Sequence, residues 1–156
     1  MTNYLTAIPG TDPIPQLETN TPAMGGPGGV MNSQAQALLN RISYLSFYDI
    51  SGGCVGKPAN SAVILTFKAV RPFQLPSNIP GSTAAANTAA TGTTVFILSK
   101  NGTGFGTLTF SAAGTTGVFS SSSVNFVAGD ILLVTAPSTA DTALADIGFV
   151  LAGVLQ

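Results

Sequence analysis

The sequence predicts a mainly β protein: an N-terminal extended arm, a short helix, then an antiparallel β-sandwich or jelly-roll-like domain. Three observations carry that expectation. Proline and glycine crowd residues 1–30, apolar residues recur at spacings of four and three from Met31 to Leu45, and from Ala62 onward the period becomes two. The expected boundaries are an arm over 1–30, a helical segment over 31–50 and a β domain over 51–156.

The arm contains Pro9, Pro13, Pro15, Pro22 and Pro27 together with Gly10, Gly25, Gly26, Gly28 and Gly29. Proline removes backbone donors and glycine discourages regular structure, so this segment is expected to be extended. Two readings of it stay open: an arm ordered on another subunit, or a disordered tail.

The helix is expected to begin after Gly29, with Ser33 and Gln36 spaced as a capping box and Asn32 as an equally good cap. From Gln34 to Leu45 the residues are good helix formers without proline, and Gly52-Gly53 mark the latest end. Met31, Ala35, Leu38, Ile42 and Leu45 form an a/d stripe of the kind that packs helices from separate chains. The same stripe could equally cover the chain's own β domain, with Leu39 widening it in either case. Tyr44, Phe47 and Tyr48 stand beside it at helical spacing, as a join to the β domain or as a carbohydrate-stacking surface.

Val63, Leu65, Phe67 and Ala69 are expected to share one strand face, stopped by Arg71-Pro72. Residues 75–92 show no periodicity and read as a loop. Strands are expected at Thr93–Ser99 and Gly106–Ser111, joined by a hairpin at Asn101-Gly102, because both turn residues accept positive φ. Thr116–Ser121, Ile131–Ala136 and Asp146–Leu155 complete six strands, the last burying Ile147, Phe149 and Leu151. Gly102, Gly104 and Gly106 belong to the hairpin and not to a phosphate loop, since no helix start or P-loop lysine follows.

Composition narrows function. Charged residues are 7% of 156, against roughly 25% in an average soluble domain, so the surface is built from neutral side chains or is covered by other chains. Arg41, Lys57, Lys68, Arg71 and Lys100 are scattered, which argues against nucleic-acid binding. The chain has no histidine, so Ser-His and Cys-His nucleophile pairs are excluded. Its acidic residues Asp12, Glu18, Asp49, Asp130, Asp141 and Asp146 are dispersed, offering no facing carboxylate pair. Asp130 reads as a turn residue bonding its own backbone. Asp141 and Asp146 as calcium ligands would need a denser array of oxygens than their loop provides. The single cysteine, Cys54, reads as a small buried side chain, with an intermolecular bond or reactive thiol as alternatives. No enzyme, cofactor or metal is expected. Mean hydropathy is +0.43, yet no run approaches the roughly 18 apolar residues of a membrane-spanning helix. The first residues lack a basic stretch followed by an apolar core, so no signal peptide is expected.

Two segments resemble bacteriophage virion proteins. Residues 25–45 are similar to a segment near the start of phage tail-fibre proteins, in which a glycine-rich stretch precedes Asn-x-Gln-x-Gln-x-Leu-x-Asn-Arg-x-x-Tyr-Leu. Asn32, Gln34, Gln36, Leu38, Asn40, Arg41, Tyr44 and Leu45 match that pattern. Ser99–Phe110, Phe126–Asp130 and Val134–Asp141 resemble a small β domain of phage structural proteins, so the likeness covers about residues 25–156. It implies a homotrimer, with 31–50 as a trimerisation helix, the stripe Met31, Ala35, Leu38, Ile42 and Leu45 as a three-stranded coiled-coil-like interface, and the β domains around the same axis.

The resemblance further implies a virion location after synthesis in the host cytoplasm, and an arm anchored to other virion proteins of tail, adaptor or capsid. Tyr4, Leu5, Ile8, Ile14 and Leu17 are the arm's apolar side chains for that anchoring. The chain is short and has no extended shaft, which favours a short fibre, an adaptor or a capsid decoration protein over a long receptor-binding fibre. A host-surface glycan-binding module, using Tyr44–Tyr48 or loops around 75–90, is the alternative of a different class.

Overall fold

The computed structural model describes residues 30–156, with side chains from residue 33 onward. The arm residues Tyr4, Leu5, Ile8, Ile14 and Leu17, and the side chain of Met31, lie outside the described residues. Two compact units are present, one running to Phe47 and the other from Tyr48 to Gln156.

In the first unit, helix α1 runs Val30–Leu45, 16 residues. It starts directly after Gly29, as expected, so Ser33 stands inside the helix and not at its N-cap. Its end is earlier than the expected 31–50 segment. The amide of Ser46 bonds the Ser43 carbonyl at 3.3 Å and its hydroxyl bonds the same oxygen at 2.7 Å, closing the last turn. Strand β1 (Phe47–Cys54) begins one residue later.

The second unit is antiparallel throughout. Its remaining strands are β2 (Val63–Lys68), β3 (Phe73–Leu75), β4 (Thr83–Thr88), β5 (Thr94–Lys100), β6 (Thr103–Phe110), β7 (Thr116–Ser121), β8 (Val124–Phe126), β9 (Ile131–Thr135) and β10 (Ala145–Leu155). The spatial order is β2-β9-β5-β6-β7-β4-β10-β3-β8, with β1 pairing β10 off that path. The order implies one curled sheet. A Cβ on Gly52 of β1 would stand 3.2 Å from the Leu65 Cβ of β2, so β1, which pairs β10, faces β2 at one end of the path. Inward side chains from both halves then share one core, giving a sandwich-like domain.

Alternation explains which residues build that core. Phe96 and Leu98 of β5, Leu108 and Phe110 of β6, and Leu132 and Val134 of β9 are fully buried, each two residues apart. Ile147, Phe149 and Leu151 of β10 are buried as expected. Phe73 stacks on Phe126 with ring centroids 4.6 Å apart, and the rings of Tyr48 and Phe67 also pack on Phe73. The hairpin at Asn101-Gly102 has φ of 50° and 86°, the pair of positive values that a two-residue turn of matching twist requires.

Three strand expectations need correction. Residues 75–92 are not one loop, because β4 lies within them with Ala84 and Ala86 buried. Alanine supplies so little contrast with threonine that its alternation is invisible to hydrophobic periodicity. Val63 does not share a face with Leu65 and Phe67. A register shift between Val63 and Leu65 turns Val63 outward and admits Ile64 to the core instead. Finally, the six expected strands are joined by β1, β3, β4 and β8.

Candidate interaction surfaces

The described part of the a/d stripe of α1, Ala35 to Leu45, is exposed. Leu38, Ile42 and Leu45 are 50%, 57% and 73% accessible, and Ala35 is exposed as well, whereas Ala37, off the stripe, is buried. Tyr44 and Phe47, both about half exposed, meet edge to face with centroids 6.1 Å apart. An exposed row of leucine and isoleucine on a short helix is an unfavourable arrangement for an isolated chain in water. Tyr48 does not join them as a surface residue, because its ring packs on Phe67 and Phe73.

A second surface escaped the sequence reading. The outward side of the sheet carries a row in which Thr135, Ile97, Thr107 and Ser120 stand opposite one another across β9, β5, β6 and β7. A parallel row joins Val95, Thr109 and Val118. Beyond β7 the face continues through Thr116, Ala85 and Gly148. None of these side chains is charged. Ile97 and Val118 are 43% and 64% exposed, while Phe96 and Leu98 on the inner side of β5 are fully buried and Phe119 on the inner side of β7 is half-buried. Alternation is present in the sequence here, but threonine and valine on the outer side look like ordinary strand formers. The only available signal was the missing charge.

Three of the described acidic residues, Asp130, Asp141 and Asp146, serve the scaffold. The Asp141 carboxylate accepts the amides of Thr91, Gly92, Ala143 and Leu144 and the Thr91 hydroxyl, the last at 2.6 Å. These donors hold its pKa far below the usual carboxylate range, the Thr91 side chain contributing most. Asp130 accepts the Val127 amide at 2.8 Å, as a turn aspartate does, and also Asn101 Nδ2 at 2.7 Å and Lys100 Nζ at 2.9 Å. The Val127 amide first, then Lys100 and Asn101, lower its pKa to about 2. Asp146 receives the Gly56 amide at 2.7 Å.

A calcium ion held by Asp141 would have to displace these N–H donors. Among the described residues no three His, Cys, Asp or Glu side chains gather as a metal-binding group. Cys54 is half-buried, its sulfur 3.9 Å from the Gly56 carbonyl oxygen. No described helix is long and apolar enough to cross a membrane.

No family model matches the chain, and no curated protein or solved structure matches it either.

Proposed function

We propose that the chain is a non-enzymatic structural protein of a bacteriophage particle, a homotrimeric short fibre or tail-fibre adaptor component. In this reading α1 forms a short three-stranded bundle, the arm anchors the trimer to other virion proteins, and the β domains surround the trimer axis. The observation that carries the reading is the exposure of Ala35, Leu38, Ile42 and Leu45 along the one stripe whose spacing suits knobs-into-holes packing. The motif of residues 32–45 supplies the phage assignment.

Energetics favour covering the stripe. Fully burying a leucine or isoleucine side chain is worth roughly 1.5–3 kcal/mol relative to leaving it exposed. Leu38, Ile42 and Leu45 retain half or more of their exposure, so covering all three yields a few kcal/mol per chain by that estimate. A helix of 16 residues is close to the minimum length for marginal stability alone. Two heptads of seam, about four turns, therefore need a larger contact elsewhere to set their register.

The test is the mass of the purified full-length chain by native mass spectrometry or multi-angle light scattering. A trimer is expected. Leu38→Asp with Ile42→Asp should release folded monomers with unchanged β-type circular dichroism, because both side chains lie outside the β core. A monomeric parent chain would sink the proposal. Gold-labelled antibody on purified particles then separates tail from capsid, and so a fibre component from a decoration protein.

A further inference from the structure

We propose that the outward, uncharged face of β9-β5-β6-β7-β4-β10 is the second subunit contact, covered by another copy of this chain. This rests on the self-association proposed above and names the β-domain surface that takes part.

Charge argues for the occupant. Across six adjacent strands the central outward residues are threonine, valine, isoleucine, serine, alanine and glycine. A partner presenting Lys, Arg, Asp or Glu to this face would strand those charges without water or a counter-charge, which opposes association. A partner that fits must be nearly charge-free itself. With 11 charged residues in 156, this chain is such a partner.

Shape and size agree. Gly148 has nothing within 4 Å of where a Cβ would stand, and its neighbour Ala85 is small, so the β4–β10 end of the face is low and open. The ten outward positions named above, each taking about 4.8 Å across and ~6.8 Å along the strands, cover ~330 Å² in projection. That lies in the range of the largest apolar patch on an ordinary monomer but below the ~800 Å² per partner of a stable interface. The α1 stripe, ~24 Å long and about one side-chain layer (~10 Å) wide, contributes ~240 Å² by the same reckoning. Neither surface reaches a stable interface alone. Their projected sum, ~570 Å², is about seven-tenths of the ~800 Å² per partner, and accessible area exceeds projected area on any real surface.

The decisive measurement is thiol labelling of the assembled chain. In a Cys54→Ser background, Thr109→Cys places a thiol at the centre of the face, where Thr109 stands between Val95 and Val118. Maleimide labelling should slow at least tenfold in the assembled protein. It should return to the rate of an exposed thiol when Leu38→Asp and Ile42→Asp dissociate it. Independently, Ile97→Lys with Val118→Lys should weaken association at least 100-fold in sedimentation velocity while preserving the circular dichroism of the fold. Equal labelling rates in the assembled and dissociated chains would overturn the sheet contact and leave the helical trimer standing. A parent chain that is monomeric at every concentration would overturn both.

Discussion

Asp141 and Asp130 show how two single residues can tie loops together in a protein with few charges. Asp141 bridges the loop after β4 to the loop before β10, accepting from Thr91 and Gly92 on one side and Ala143 and Leu144 on the other. Asp130 ties the β8–β9 turn to the β5–β6 hairpin through Asn101 and Lys100. Both carboxyls have folded pKa values below the ordinary 3.8, Asp130 at about 2 and Asp141 lower still. A lowered folded pKa means the unfolded chain binds protons first. The stabilisation is therefore complete above the unfolded value and is lost as pH falls through the folded one. Urea midpoints should hold steady from pH 7 to about 5 and decline between about pH 4 and 2. Asp141→Ala should lower the midpoint at pH 7 and flatten that acid decline. An unchanged decline in the variant would remove Asp141 from the account. Asp130 was legible as a turn residue from Gly129-Asp130 alone, and its bond to Val127 is that local contact. The role of Asp141 was not legible, because its main partner, Thr91, is fifty residues away in the chain.

At the scale of elements, strands with strong inward–outward contrast were readable and those without it were not. β5, β6, β7, β9 and β10 alternate bulky apolar with small or polar residues, and their expected spans match the observed ones to within about three residues. β4 was hidden by alanine, and β3 and β8 are three residues each, too short for any periodicity. β1 was hidden differently. Tyr44, Phe47 and Tyr48 also fit a helical spacing, so the change of period at Ser46 was masked by a pattern that suits both structures. Close strand approach adds a constraint of its own at Gly117 of β7. A Cβ there would come within 2.6 Å of Leu108 Cδ1 and 2.8 Å of Ala84 Cβ, so β7 lies tight against the inner sides of β6 and β4. Gly117→Val should destabilise the β domain by roughly 1–3 kcal/mol, the usual range for overpacking a filled site. Chemical denaturation of the variant checks it, and a loss below about 0.5 kcal/mol would show that the strands separate freely there.

Among the described residues, a well-buried core lies beneath a surface with few charges, and the helix stripe and the outer sheet face are exposed and neutral. A protein whose exterior is so neutral gains little from remaining alone in water, since net charge is what keeps monomers apart. Association would convert that weakness into stability, because each copy hides the other's uncharged surface and the folded state gains by mass action. If three chains unfold and separate together, the midpoint of thermal unfolding must depend on concentration. A tenfold change is worth about 1.4 kcal/mol per association step, and two steps shared by three chains give about 0.9 kcal/mol per chain. For a domain of this size that is a rise of roughly 3–6 °C per tenfold increase in concentration. Leu38→Asp with Ile42→Asp should abolish the dependence and leave a single, lower midpoint set by the β core alone. A melting temperature of the parent chain that stays constant over two decades of concentration would mean that the helix stripe and the sheet face contribute nothing to folded stability.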